Sequence, residues 1–215
     1  MRTNVYVDGF NLYYGALRGT PYKWLDIRRM CELLLKDHSV ARVTYFTARI
    51  SPRPDDQGQS VRQQTYLRAL SNLPETRIVY GHFLTNEVYM PLAGCAPGKQ
   101  QYVKVVKTEE KGSDVNLAAH LLWDAFREKA ESFILVTNDS DLLEPVRIVR
   151  DELALPVGIL NPHRRPSRTL RRAATFVKQI RRGVLRASQL PTTIEDQHGT
   201  ITKPAAWSNA PGPSI

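Results

Sequence analysis

Ser132-Phe133-Ile134-Leu135-Val136-Thr137-Asn138-Asp139-Ser140-Asp141 is the stretch on which the reading of this chain turns. Its apolar run is unbroken by charge and stops abruptly in a polar, acidic turn. A short continuous apolar run bounded by turn residues fits a strand buried on both faces. Such strands sit in the middle of parallel sheets covered by helices. In open sheets of that kind ligands bind beyond the carboxyl ends of the strands, which is where Asp139 and Asp141 would stand.

Working outward, β-branched and aromatic runs alternate with amphipathic stretches. Strands are expected at 4–7, 41–50, 77–84, 132–137 and 155–160. Helices are expected at 26–36, 60–70, 113–129 and 142–151, and a further basic helix at 168–180. Residues 51–58 hold two prolines and two adjacent aspartates and read as a loop. Glu87–Pro91 and Gln101–Lys107, around the Gly94–Gly98 turn, read as a hairpin inserted into the strand and helix alternation. From Pro191 onward prolines and small polar residues lack any packing period, so residues 183–215 are expected to form an irregular C-terminal tail.

Two other motifs repeat the pattern of an acid at a strand or helix boundary. Asp8-Gly9-Phe10-Asn11 follows the first strand, and Lys111-Gly112-Ser113-Asp114 opens the helix that feeds the fourth. With strands one and four adjacent, Asp8, Asp114, Asp139 and Asp141 would converge on one small volume. Like charges a few ångströms apart raise one another's pKa unless a cation neutralises them. A bound divalent ion is the simplest resolution, and an all-oxygen set points to Mg²⁺ or Mn²⁺ over zinc. Such an ion lowers the pKa of water and holds a phosphate for in-line attack. Asn11 would orient water or a phosphate oxygen without adding charge, while Thr137, Asn138 and Ser140 would hydrogen-bond the carboxylates and fix their rotamers. Taken singly, each motif also has a plain structural reading. Aspartate before glycine is a common turn, and Ser113-Asp114 and Asp141 sit where helix caps sit.

Together, Tyr6-Val7-Asp8-Gly9-Phe10-Asn11, Glu110 to Ala118 and Leu135 to Leu142 resemble the NYN domain, a branch of the PIN-like nuclease superfamily, over roughly residues 3–180. The resemblance implies a three-layer α/β/α Rossmannoid fold with a mostly parallel sheet of strand order 3-2-1-4-5. It also implies a Mg²⁺- or Mn²⁺-dependent ribonuclease whose metal is held by Asp8, Asp114, Asp139 and Asp141, with Asn11 as polar partner of the first aspartate. On this reading residues 1–182 form the nuclease domain. Leu185 to Pro191 looks like the end of bacterial members. Many PIN nucleases carry a further acid in the helix after the second strand. Here residues 60–70 have none, and Asp55 and Asp56 lie in the loop before it, which points to one ion over two.

Charge agrees with a nucleic-acid partner. The chain carries +9 overall, but residues 153–194 hold nine basic side chains and no acidic one, whereas residues 1–152 hold 20 basic and 19 acidic. A local basic stripe suits a polyanion; the plain alternative is a solvated arginine-rich helix. Lys111, Arg49, Arg53, Arg164 and Arg165 lie near the expected strand ends and would hold RNA phosphates, with affinity that falls as salt rises. Tyr13, Tyr14 and Tyr22 are candidates for stacking unpaired bases.

Other classes fail on particular residues. The two cysteines, Cys31 and Cys95, form no CxxC pair. No apolar run approaches the ~20 residues of a membrane helix. A haloacid-dehalogenase phosphatase needs an aspartate where Phe10 stands, and GxGxxG and GxxxxGK[ST] are absent. The expectation is a soluble cytoplasmic ribonuclease acting on single-stranded or structured RNA, free to form a homodimer. The competing expectation is a non-catalytic RNA-binding module on the same fold.

Overall fold

The computed structural model describes residues 1–208 except 53–54, 96–97 and 99–100; Arg53 therefore lies outside the described residues. Six strands form one sheet: β1 (Arg2–Asp8), β2 (Ser39–Thr47), β3 (Thr76–Tyr80), β6 (Ser132–Val136), β7 (Val157–Asn161) and β8 (Phe176–Gln179). Their order is β3-β2-β1-β6-β7-β8, and every neighbouring pair is parallel. Leaving out the inserted hairpin, this is the expected 3-2-1-4-5 order extended by one edge strand.

Period-two alternation along the central strands divides the core between the two faces. Val5, Val7, Ile134 and Val136 point to one side, into a cluster with Trp24, Ile27, Met30, Tyr66 and Leu70. That side is covered by α2 (Ile27–Leu34) and α3 (Gln59–Ser71). Tyr6, Phe133 and Leu135 point to the other, against Leu117 and Leu121 of α4 (Ser113–Phe126) and Val146 of α5 (Leu143–Arg147). All five residues of β6 are buried, as its unbroken apolar run requires. Tyr6 carries its hydroxyl into this second core, where it donates to Asp124 Oδ2 at 2.7 Å.

Three expectations about elements are corrected. The third strand stops at Tyr80, because His82 starts β4 (His82–Pro91), which pairs with β5 (Tyr102–Lys111) in a separate antiparallel ribbon. Gly81 allows that junction: a side chain there would run into the Glu110 carboxylate and the Lys111 carbonyl. The basic stretch is not one helix from 168 to 180. It folds as α6 (Arg168–Ala173), the edge strand β8 and α7 (Arg182–Ala187), and Lys178 Nζ donates to Leu34 O at 2.8 Å.

The third correction concerns the described part of the tail. β9 (Thr193–Asp196) pairs with β10 (Gly199–Thr202), and Trp207 packs against Trp24 and Tyr66 with ring centroids 6.2 and 6.0 Å away. Among the described residues, no helix is long and apolar enough to cross a membrane.

Candidate metal centre

β1 and β6 are adjacent and in register through Val7 and Val136, so the residues just beyond them meet. Asp8 caps α1 (Gly9–Leu12): its Oδ1 accepts from the Asn11 backbone N–H at 2.9 Å. Its other oxygen, Oδ2, accepts from Thr137 Oγ1 at 3.1 Å. The same Thr137 oxygen accepts from the Asp139 backbone N–H at 3.1 Å, so one buried hydroxyl couples the two strand-end carboxylates. Asp139 Oδ1 accepts from the Asp141 backbone N–H at 3.0 Å. Asp114 enters from the first turn of α4.

One carboxylate oxygen from each of Asp8, Asp114 and Asp139 lies within 4.8 Å of the other two. No lysine or arginine forms an ion pair with any of the three among the described residues. Burial raises the Asp8 carboxyl most, and Asp114 and Asp139 push it further, to about 7, against the pull of the hydrogen bonds from Asn11 and Thr137. Asp114 is raised as well, first by partial burial and then by Asp139, Glu110 and Asp141. This donor set fits a hard divalent cation: oxygen ligands only, on separate rigid elements, with an electrostatic cost that a cation would cancel.

The remaining candidates separate into groups. Asp141 stands outside the three-carboxylate group; its side chain is exposed and contributes charge to Asp114. Asn11 Oδ1 accepts from the Asn138 backbone N–H at 2.9 Å, tying the loop after β1 to the loop after β6. Asn138 in turn donates to Arg165 O at 3.1 Å and accepts from the Ser167 N–H at 2.6 Å, which brings in the loop after β7. Ser140 is exposed and makes no hydrogen bond to the cluster.

Arg164 and Arg165 are exposed on that third loop. Arg49, past the end of β2, lies over the Tyr80 ring at 5.0 Å, and Lys111 Nζ pairs with Glu109 at 3.1 Å.

Sequence reasoning passed over Glu110. Its Oε1 accepts from both the backbone N–H and the hydroxyl of Ser113, at 3.1 and 2.7 Å. The N-cap position is Gly112, with φ of 95° and no side chain to offer, so Glu110 supplies the missing acceptor and fixes the turn from which Asp114 projects. A glycine in place of the usual capping residue was the available signal.

Comparison with known proteins places this geometry in context. The NYN domain family model matches residues 2–181. A 6-hydroxy-3-succinoylpyridine 3-monooxygenase of Pseudomonas putida is 32% identical over 240 residues, covering 98% of this chain and 77% of that protein. A crystal structure of a Vibrio parahaemolyticus protein of unknown function superposes with a TM-score of 0.52 at 18% identity, over 84% of this chain and 93% of the other; the likeness is one of fold.

Proposed function

The chain belongs to the NYN domain family, whose fold is that of the PIN-like nucleases, and from that membership we propose that it is a divalent-metal-dependent ribonuclease. The observation that carries the reading is the group formed by Asp8, Asp114 and Asp139 at the carboxyl edge of the sheet.

In this reading the three carboxylates hold Mg²⁺ or Mn²⁺. The ion would supply Lewis-acid activation of water and neutralise charge on the phosphate. Thr137 keeps Asp8 in the rotamer that faces the other two acids, and Asn11 locks the two loops against each other. Asp141 adds negative charge at the rim. Arg49, Lys111, Arg164 and Arg165, which follow or end β2, β5 and β7, would grip the backbone on either side of the scissile phosphate. The net chemistry is hydrolysis: water oxygen bonds to phosphorus, one phosphorus–oxygen bond to ribose breaks, and the departing oxygen takes a proton.

The test is cleavage of a labelled single-stranded RNA with Mn²⁺, with Mg²⁺ and with EDTA, alongside Asp8→Asn and Asp139→Asn. Metal-dependent cleavage that drops at least ~100-fold in both variants supports the reading, since ligation of this kind contributes several kcal/mol at the transition state. Salt-sensitive RNA binding without cleavage would favour the non-catalytic module instead.

A second reading is favoured by one observation. The similarity to the P. putida monooxygenase spans 98% of this chain, beyond residue 181 where the family match ends. Oxygen uptake with 6-hydroxy-3-succinoylpyridine and a two-electron reductant, unaffected by RNA, would favour oxygenation of a small aromatic compound over hydrolysis of RNA.

A further inference from the structure

Beside the acidic cluster, on the α2 and α3 side of β1, a second concavity encloses about 430 Å³, within the range of small-ligand sites. Gly9 and Phe10 follow Asp8 directly and form part of its wall, so the cavity and the acidic centre are neighbours. It does not use the three carboxylates.

Its interior is aromatic. Tyr45 and Tyr66 meet edge to face with centroids 6.4 Å apart, and Trp207 lies 6.0 Å from Tyr66. Tyr14, half-exposed, stands at the mouth. The Tyr66 hydroxyl is already committed to Leu25 O at 2.9 Å. Such a lining offers flat faces and edges to a planar ring.

The mouth is cationic. Arg18, Lys23 and Arg62 stand around it with Asp55 and Asp56. Arg62 pairs with Asp56, and Arg18 lies over the Tyr14 ring at 5.5 Å. Lys23 takes part in no ion pair among the described residues. Partial burial and then the nearby Arg62 lower its pKa, while Asp56 pulls the other way.

We propose that this cavity binds a planar aromatic ring carrying an anionic group, with the ring among Tyr14, Tyr45, Tyr66 and Trp207 and the anion at Lys23 and Arg18. Two sources share that chemistry: one unpaired nucleotide of an RNA strand, and a free aromatic acid. The nucleotide source rests on the ribonuclease reading, because it seats a base beside the acidic centre; the free acid does not.

The experiment is isothermal titration calorimetry of the full chain in EDTA with uridine 5′-monophosphate, with benzoate and with ribose 5-phosphate. It is repeated on Lys23→Gln and on Ala206→Trp, whose new ring at the exposed rim would fill the cavity. Circular dichroism confirms that both variants fold. The expected result is binding of a ring-bearing anion, at least tenfold weaker for the ringless sugar phosphate, about tenfold weaker in Lys23→Gln and lost in Ala206→Trp. Binding of uridine monophosphate alone assigns the site to a nucleotide, of benzoate alone to a free acid, and of both to the shared class. Absence of binding by either ring, equal binding of ribose 5-phosphate, or binding unchanged in Ala206→Trp would overturn the proposal. EDTA keeps the acidic centre out of the measurement, so RNA cleavage in the absence of cavity binding would sink this proposal alone, and the converse would sink only the ribonuclease reading.

Discussion

Asp8 is a buried carboxylate and Asp196 a half-buried one, and their surroundings push them in opposite directions. Burial and two neighbouring acids raise Asp8 to about 7. Asp196 is gripped by Arg68, whose Nε donates to Oδ2 at 2.7 Å and whose Nη2 donates to Oδ1, and its carboxyl is held well below the usual range. One carboxylate is left without counter-charge where two strands end together; the other fastens the tail hairpin to α3. The difference separates a site from a staple. A fold leaves charge uncompensated where a ligand is to supply the balance, and compensates it where the purpose is attachment.

The largest expected effect tests whether the tail region belongs to the structural side of that contrast. Trp207 is 8% exposed and packed on Trp24 and Tyr66, so Trp207→Ala should cost about 3–5 kcal/mol in urea unfolding. A change below 1 kcal/mol would mean that the segment after β10 contributes little to the core.

Asp8 should behave in the opposite sense. Its folded pKa lies above the ordinary value of 3.8, so the folded state binds more protons than the unfolded one between those values. Its ionisation therefore erodes stability as pH rises from about 4 through 7. In EDTA, Asp8→Asn should be more stable than the parent at pH 8 by roughly 2–4 kcal/mol, with the gain gone at pH 4. Denaturation midpoints for both proteins at the two pH values check this, and a variant that is less stable at pH 8 would show that the cluster is not under electrostatic strain.

Thr137 offers a finer test because it touches two members of the cluster. Removing its hydroxyl in Thr137→Val takes a donor from Asp8 and an acceptor from the Asp139 N–H while keeping the shape. Mn²⁺ affinity, read as the metal-induced rise in Tm at pH 8, should weaken about tenfold, the usual cost of losing such a supporting hydrogen bond. Unchanged affinity would leave Thr137 as packing alone.

The same contrast explains what was legible in the sequence. β1 and β6 were readable because their apolar runs are long enough to show, and their acids follow the last buried residue. Asp114 was readable from the Gly112-Ser113 break before an amphipathic run. The edge strand β8 was not: Phe176 to Gln179 is four residues long inside an arginine-rich stretch whose spacing looks helical, and its pairing with β7 is decided by tertiary contact. The tail looked irregular because its prolines speak locally, whereas Trp207 is held by Trp24 and Tyr66, far away in sequence. Asp196 offers no local signal at all, and acquires its meaning from Arg68 on α3.

That pairing supplies the smallest effect and the sharpest control. The folded carboxyl of Asp196 is depressed, so its contribution is present above the unfolded value near 3.9 and fades as pH falls below it toward the lower folded one. Asp196→Asn should therefore speed amide exchange in β9 and β10 at pH 7 while leaving the central sheet unchanged, and the difference from the parent should close as pH drops toward 3. The Asp8 variant runs the other way, gaining its advantage at high pH and losing it in acid. Hydrogen exchange followed by mass spectrometry at pH 3 and 7, corrected for intrinsic rates, reads the tail effect directly. If protection in β9 and β10 does not change, the Arg68 clamp is a solvent-screened surface pair, and it is Trp207 that holds the tail in place.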